Sequence, residues 1–346
     1  MPAKPLGSPY AGTLPALAIA LAVIAVFSVR FGAVGVSFAD MISALRKGWS
    51  APDLLNLTER IFLEIRLPRA LACLFVGASL AMGGVLMQAL FRNPIVEPGL
   101  VGTSSGAAFG ASLYFVLGAA LKFHTGEWTL PLAACLGGAV ATACVFLVSE
   151  TTQANRESTT ALLLTGIAVN ALFLSGVGFF SYIARDPQAR SITFWNLGTL
   201  SGANWRAVII LAVVTIVGLA IALRYARQLN SLMMGEEEAL YLGVDVKRLK
   251  LTITAVNVML VAVATSITGI ISFVGLIVPH LLRLMKGSDN RFLLIGGALM
   301  GAILLTLSDI AARLLLRPAE LPIGIVTAAV GAPVFMGLLR NRRYRF

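Results

Sequence analysis

Long runs without a charged residue recur along almost the whole chain and are separated by short polar segments. Nine runs lack Asp, Glu, Lys and Arg: 5–29, 70–91, 98–121, 128–149, 158–184, 207–223, 251–282, 292–308 and 321–339. Each approaches or exceeds the roughly 20 residues with which a helix crosses a hydrocarbon core of about 30 Å. Barrel strands would instead show about ten residues of alternating polarity. The pattern therefore predicts an all-α integral membrane protein.

The run 251–282 is too long for one crossing. As a single helix it would measure about 48 Å at about 1.5 Å per residue, which exceeds the hydrocarbon thickness by more than tilt normally absorbs. It is interrupted by Gly269, Gly275 and Pro279. We predict a full helix over about 247–269 and a short return helix over about 275–286. The nine runs then become ten spans.

Ten spans also bring the basic clusters to one side of the membrane. With residues 224–250 in the cytoplasm, the split returns the cluster 283–291 and the tail 340–346 to that side. Basic residues concentrate on the cytoplasmic side of membrane proteins. We therefore expect one polytopic domain over 1–346 with both termini cytoplasmic.

Composition supports this assignment. The chain is 58% hydrophobic and 12% charged, whereas soluble domains carry about 25% charged residues. The net charge of +11 fits basic loops and tails better than nucleic-acid binding. Cys73, Cys135 and Cys144 lie inside uncharged runs without CxxC spacing, so we predict neither a disulfide framework nor a metal site. The run 5–29 exceeds a signal-peptide core of about 7–15 residues, so we expect a first spanning helix there.

The polar exception is the segment 229–250. It contains three consecutive acids at 236–238, a Leu-Gly break at 242–243 and a basic group at 247–250. Each charge at the membrane centre would cost about 2.5–3.5 kcal/mol on insertion scales. Its apolar residues can share one face of short helices opposite the acids. We interpret the segment as a docking surface for a soluble partner, set between two membrane halves.

Several polar or polarizable side chains inside the runs are candidates for a translocation path. Gln88 could make an interhelical hydrogen bond or line a pore, because an amide in lipid needs a partner or a water-filled path. Met82 and Met87 lie on the same predicted helix, and Asn170 places an amide in the run 158–184. The small residues Gly77, Ala81 and Gly84 recur about one turn apart, which favours close helix packing.

The outer segment after residue 184 combines cations with aromatic rings. Arg185, Arg190, Phe194 and Trp195 fit a short helix at about 190–200 near the outer mouth. Trp205 follows, and an interface belt and a functional role stay equally open for it. His124 and His280 are present, but we assign neither as a metal ligand.

The motifs exclude some functions. No GxxxxGK[ST] motif occurs, so any ATP would be hydrolysed by a partner. An ion-coupled secondary transporter predicts acids at mid-membrane, but none of the uncharged runs contains one. An intramembrane enzyme would need a catalytic dyad or His cluster in a span, which is also missing.

Several long motifs follow one another in a recognisable order. They include RLPR at 66–69, LAMGGVLMQALFRNPIVEPGLVGTSSGA at 80–107, LLLTGIAVNAL at 162–172, FWNLGTL at 194–200, GEEEALYLGV at 235–244, GIISFVGLIVPHLLRL at 269–284, DIAAR at 309–313 and ELPIGIVTAAVGAPVF at 320–335. On these motifs the sequence resembles the permease subunits of type II ABC importers, the vitamin B12 and iron-chelate permease family. The resemblance implies ten helices per subunit and a homodimer around a central path in a bacterial inner membrane. It also implies two ATPase subunits below and a periplasmic substrate-binding protein above.

The resemblance assigns roles to individual positions. Arg66, Arg69 and Arg313 match outer arginines that pair with glutamates of the binding protein, and it stays open whether Arg317 joins them. The segment 229–246 matches the pair of short coupling helices that, in this family, dock in a groove of the ATPase. Their key residues are Gly235, Glu236, Glu237, Leu242 and Gly243.

The cargo assignment depends on the outer segment. Its version RSITFWNLGTL, at 190–200, resembles the haem-importing members more than those for siderophores or cobalamin. Haem carries two propionates and a flat apolar ring, which suit Arg185 or Arg190 beside Phe194 and Trp195. We therefore expect haem as the transported substrate, with ferric siderophores and cobalamin as alternatives. No cofactor is expected to be bound permanently, and ATP and Mg belong to the partner ATPase.

Overall fold

The computed structural model describes residues 12–32, 35–50, 52–118, 126–151, 159–316 and 318–340, and regular structure in them is helical. The α-helices are α1 (Thr13–Arg30), α2 (Phe38–Ser50), α3 (Leu57–Arg60), α4 (Leu67–Leu90), α5 (Thr103–Leu113), α6 (Thr129–Thr151), α7 (Thr159–Ile183), α8 (Asp186–Asn196), α9 (Trp205–Met234), α10 (Glu236–Tyr241), α11 (Val246–Thr268), α12 (Val274–Lys286), α13 (Asn290–Leu314) and α14 (Ile323–Arg340). A π-helical stretch, Ile61–Arg66, joins α3 to α4.

Seven helical segments of the described residues are long and apolar enough to cross a membrane. They are Thr13–Arg30, Leu57–Leu90, Thr129–Ser149, Leu162–Ile183, Trp205–Met234, Val246–Thr268 and Asn290–Leu314. The shorter helices α5, α12 and α14 overlap the remaining uncharged runs. The prediction of a helical, multi-pass membrane protein is confirmed, and the count of ten spans stays a prediction.

Helix α4 forms the centre of the fold. Met82, Leu86 and Met87 on it are fully buried. It packs closely against α13, because a Cβ atom added at Gly77 would lie 2.3 Å from the carbonyl oxygen of Gly301. The two backbones touch at this point, and any larger side chain would force the helices apart. The predicted role of small residues in packing is confirmed here.

The predicted break between α11 and α12 is confirmed, with bounds within about one residue of those expected. Gly269 and Phe273 both adopt positive φ, +74° and +69°, which reverses the chain. Helix α12 then begins beside the C-terminal half of α4, where a Cβ atom at Gly84 would meet the carbonyl oxygen of Gly275 at 1.8 Å. The Phe273 amide donates to Glu97 Oε1 at 2.9 Å, so a carboxylate lies at the N-terminus of α12.

Two predicted short elements differ from the structure. We expected a pair of short helices within 229–246, but there is one separate short helix, α10, because residues 229–234 continue α9. Helix α8 starts at Asp186 rather than near 190, because Asp186 and Pro187 suit a first helical turn. His124, Arg317 and the tail after residue 340 lie outside the described residues.

Candidate functional site

The inner candidate site is the coupling segment, which we define as residues 235–243. Its chain turns sharply at Gly235, where φ is +147°, and α10 follows at once. Glu236 faces inward, with Oε2 at 2.9 Å from Lys250 Nζ and Oε1 at 3.7 Å from Arg92 Nη2. Ala239 is fully buried. These contacts fix one side of α10 to α11 and to the turn after α4.

The opposite side of α10 is open. Glu237 is exposed, and three large apolar side chains are exposed with it: Leu240, Tyr241 (91% exposed) and Leu242 (62%). Gly243 closes the segment with φ of +80°. Exposed apolar side chains rimmed by polar ones mark protein interaction sites. The predicted coupling residues therefore divide, because Glu236 holds the segment in place while Glu237 and Leu242 face outward.

A polar brace links the neighbouring inner loop to the end of α9. Asn230 Nδ2 donates to Asp289 Oδ1 at 3.1 Å, and its Oδ1 accepts from the Asn290 side chain at 2.8 Å. Asp289 also caps α13 by accepting from the Arg291 amide at 2.9 Å. The loop between α12 and α13 is therefore bonded to the end of α9, which leads directly into the coupling segment.

The outer candidate site is the outer arginine cluster, which comprises Arg66, Arg69 and Arg313 with Asp309 and Glu320. Asp309 is fully buried, and its two carboxylate oxygens each take one arginine. Arg69 Nη2 lies 2.9 Å from Oδ1, and Arg313 Nε lies 2.9 Å from Oδ2. Arg69 Nη1 also bonds Glu320 at 2.8 Å. Asp309 and Arg313 are four residues apart on α13, a spacing that favours an ion pair on a helix, and this pair is present.

The remaining donors of this cluster hold the end of α1. Arg313 donates to the carbonyl oxygens of Phe31 at 2.7 Å and Ser28 at 3.0 Å. Arg66 donates to the Val29 carbonyl at 3.3 Å. Arg66 and Arg313 are each only 8% exposed. In this conformation the predicted docking arginines are bound inside the chain and tie α1, α4 and α13 together.

Helix α8 presents a surface that combines exposed arginines with an exposed aromatic ring. Arg190 and Phe194 are exposed and share a face at i, i+4 spacing. Arg185 is exposed at the N-cap. Trp195 instead packs inward against buried residues of α5 and α6. The structure therefore brings Arg190 and Phe194 together and separates Trp195 from them.

The loop after α8 connects two other helices. Thr199 N donates to the Thr268 carbonyl at 2.7 Å, at the end of α11. Gly324 N, at the start of α14, donates to the Leu197 carbonyl at 3.0 Å. A displacement of α8 would therefore also shift the end of α11 and the start of α14.

The four candidates within the spans are not exposed. Met82, Met87 and Gln88 are buried in the interior of the chain, so they line no open surface in this conformation. Gln88 Nε2 donates to the Gly275 carbonyl at 3.2 Å, and its Oε1 accepts from Arg283. Asn170 Nδ2 donates to the Leu100 carbonyl at 3.0 Å and its Oδ1 accepts from Ser105. Of the two readings of Gln88, the interhelical hydrogen bond is the one present.

Sequence analysis did not identify Glu97 as the partner of α12. It lies directly beside an uncharged run, so counting charges inside the runs could not detect it. Burial raises the pKa of the Glu97 carboxyl above its usual value. The hydrogen bond from the Phe273 amide lowers this pKa and so offsets part of the rise. Among the described residues no group of three or more His, Cys, Asp or Glu could hold a metal ion.

The chain is similar to known transport proteins over almost its whole length. The model of the FecCD transport family matches residues 20–341. The hemin transport system permease protein HmuU of Yersinia pestis is 38% identical over 327 residues, which cover 94% of this chain and 95% of that protein. The cobalamin import system permease protein BtuC of Halobacterium salinarum is 42% identical over 305 residues, which cover 87% and 80%.

The fold has a close structural counterpart. A solved ABC transporter of the metal-chelate type, in an inward-facing conformation, superposes with a TM-score of 0.83 at 34% identity. The match covers 95% of this chain and 99% of that one.

Proposed function

Because the chain belongs to the FecCD transport family of ABC transporter permease subunits, we propose that it forms the membrane path of a haem importer. It is a permease and not itself an enzyme. In this proposal two copies, each with ten spans and cytoplasmic termini, enclose a central path in a bacterial inner membrane. Two ATPase subunits bind below and hydrolyse MgATP, and a periplasmic binding protein delivers haem above.

The exposed face of the coupling segment supports the ATPase contact. Leu240, Tyr241 and Leu242 together form an apolar ridge on a short helix, with Glu237 at its rim. Such a ridge fits a groove in a partner, and an exposed tyrosine is a frequent anchor in interfaces.

The contacts behind α10 suggest how its movement would reach the path. α10 is joined covalently to α9 and α11, and Glu236 bonds Lys250 and Arg92. The Asn230 brace adds α13. When ATP draws the two coupling segments of the dimer together, these helices would tilt as a group. The central cavity would then switch between inward-facing and outward-facing by alternating access.

The outer arginine cluster supplies cations for the binding protein. Glutamates on the docked protein would replace Glu320 on Arg69, because Glu320 is 44% exposed and lies at the edge of the cluster. Asp309 is buried and would keep its hold on Arg69 and Arg313. Arg69 is thus the member of the cluster best placed to change partners.

Haem is the cargo that the α8 surface suits best. The observation that carries this is the exposed Arg190–Phe194 face, where a guanidinium can bind a propionate beside an aromatic ring. The similarity to the hemin permease over almost the whole of both chains supports it. Cobalamin is the second candidate, because the cobalamin permease is 42% identical over a shorter part of the chain.

Uptake into vesicles that contain the assembled complex tests the cargo. Haem, a ferric siderophore and cobalamin are offered with their binding proteins, and we expect ATP-dependent uptake of haem alone. Arg190→Ala should lower haem uptake, whereas Arg206→Ala removes another exposed arginine outside α8 and should not. Cobalamin uptake without haem uptake, or equal haem uptake by both variants, would contradict the proposal.

A further inference from the structure

A polar pocket of about 360 Å³ lies between α9 and α11 beside the end of the coupling segment. It is lined by Arg224, Tyr225, Gln228, Gly243, Asp245, Arg248 and Leu249. None of these residues except Gly243 has a role in the proposed transport mechanism. From the position and chemistry of the pocket, we propose that it binds the headgroup of an anionic membrane phospholipid.

The donors in the pocket match a phosphate group. Arg224 and Arg248 are exposed, and neither forms an ion pair with any other described residue. Two guanidinium groups from different helices can bind phosphate oxygens in bidentate fashion. The Tyr225 hydroxyl and the Gln228 amide add neutral donors.

The one acid in the pocket already has a partner. Asp245 accepts a hydrogen bond from the Arg248 amide at 2.9 Å and caps the N-terminus of α11. A carboxylate at that position is stabilised by the helix dipole. The two arginines therefore leave the pocket with a net positive charge, which favours an anion over a neutral or cationic group.

The position of the pocket favours a lipid over a soluble anion. On α9, Val213, Val217 and Arg224 lie on one exposed row, so the apolar surface runs directly into the pocket. On α11 the exposed residue Leu251 lies one turn from Arg248 in the same way. Arg224 is also the first charge after the run 207–223. The two arginines thus lie at the level expected for the phosphate groups of lipids whose acyl chains cover the apolar surface.

Occupation of the pocket would hold the coupling segment against α9 and α11. Gly243 and Asp245 are both part of its wall, so a bound headgroup would bridge α9, α11 and the end of the coupling segment. This inference uses the membrane placement of these helices but needs neither haem as cargo nor ATPase docking. Its failure is therefore separable from failure of the proposed function.

The test is a lipid titration of the purified full-length protein followed by native mass spectrometry. Phosphatidylglycerol is compared with phosphatidylcholine of the same acyl chains. We expect the wild type to bind a first phosphatidylglycerol in preference to phosphatidylcholine. The double variant Arg224→Gln and Arg248→Gln should bind it about tenfold or more weakly.

The matched control is Arg227→Gln with Lys247→Gln. These residues lie on the same two helices and carry the same charge, but they do not line the pocket. The control should bind phosphatidylglycerol like the wild type. The variant Arg224→Lys with Arg248→Lys keeps both charges but loses the bidentate geometry, so it should bind phosphatidylglycerol more weakly than the wild type and more tightly than the Gln double variant. A size-exclusion profile like that of the wild type shows that each variant is folded.

Three results would overturn the proposal. The first is an equal loss of binding in the control, which would mean that charge alone attracts the lipid. The second is equal affinity of the wild type for phosphatidylcholine. The third is displacement of phosphatidylglycerol by millimolar inorganic phosphate or glycerol phosphate, which would make the pocket a site for a soluble anion.

Discussion

The outer arginine cluster and the coupling segment are both charged interruptions of an apolar chain, but they use their charges in opposite ways. In the outer arginine cluster the carboxylate of Asp309 is buried and holds Arg69 and Arg313. In the coupling segment, Glu237 and the large apolar side chains of residues 240–242 are exposed. The first therefore holds helices of one chain together, whereas the second leaves a surface open, which we propose as the contact for the ATPase.

A charged motif alone therefore does not show whether its partner lies within the same chain or in another protein. Removing one partner of a buried ion pair leaves an uncompensated charge and is costly. Removing an exposed side chain leaves the fold intact and changes only association. Stability and assembly, measured side by side, should therefore separate the two regions.

Asp309→Asn should have the largest effect on stability. It leaves two guanidinium groups without their carboxylate, and breaking such a buried pair costs about 3–5 kcal/mol. Unfolding in mixed micelles with a denaturing detergent measures the loss. Glu127→Gln, which removes an exposed pair with Arg206, is the control and should change little. Equal stability of both variants would show that the cluster does not hold the helices.

Tyr241→Ala should have the largest effect on assembly. An exposed aromatic anchor in an interface contributes about 2 kcal/mol or more when it is truncated, so co-purification of the ATPase should fall by more than tenfold. Tyr182→Ala removes a similarly exposed tyrosine, which lies at the C-terminal end of α7 and far from α10 in the sequence. This variant should have no effect. Retention of the ATPase by the Tyr241 variant would refute the coupling role of this face.

Glu236→Gln and Glu237→Gln test the boundary inside the coupling segment itself. Glu236 bonds Lys250 at 2.9 Å and is partly buried, so its neutralisation should cost about 1 kcal/mol of stability. Glu237 is exposed, so its neutralisation should reduce ATPase-coupled uptake while unfolding stays unchanged. The interpretation fails if both variants show the same combination of effects.

Glu320→Gln should give the smallest effect and sharpen the outer half of the comparison. It removes the exposed partner of Arg69 while Asp309 remains, so stability should fall by less than about 1 kcal/mol. Docking of the binding protein, measured on immobilised permease, should strengthen by about twofold because one competing carboxylate is lost. Glu64→Gln, an exposed acid in the π-helical stretch, is the control. Weaker docking of the Glu320 variant would mean that Glu320 presents Arg69 rather than competing for it.

The helices were predictable from the sequence because uncharged runs depend on local composition alone. The break of the run 251–282 was predicted from its length together with Gly269, and the structure has it there. The hydrogen-bond partners of individual polar residues, in contrast, could not be predicted. Gln88 and Asn170 find carbonyl partners more than 60 positions away in the chain, and no local pattern encodes such partners.

The outer arginine cluster shows the same limit from another side. Motif resemblance identified Arg69 and Arg313, but their bonds to the buried Asp309 and, for Arg313, to the end of α1 appear only in the fold. The spacing of Asp309 and Arg313 was the one local signal. The end of α1 is distant in sequence from Arg313, and Glu320 is distant in sequence from Arg69, so these contacts could not be predicted.

The short helix α12 has a consequence for how the chain is made. Its 13 residues extend about 20 Å at about 1.5 Å each, too little to cross the hydrocarbon alone. α12 cannot be delivered to the lipid as an independent hydrophobic segment, so it must partition together with α11 as a hairpin. The carboxylate that caps it, on Glu97, belongs to a part of the chain that is synthesised earlier. The residue that caps α12 is therefore already synthesised when the hairpin of α11 and α12 is made.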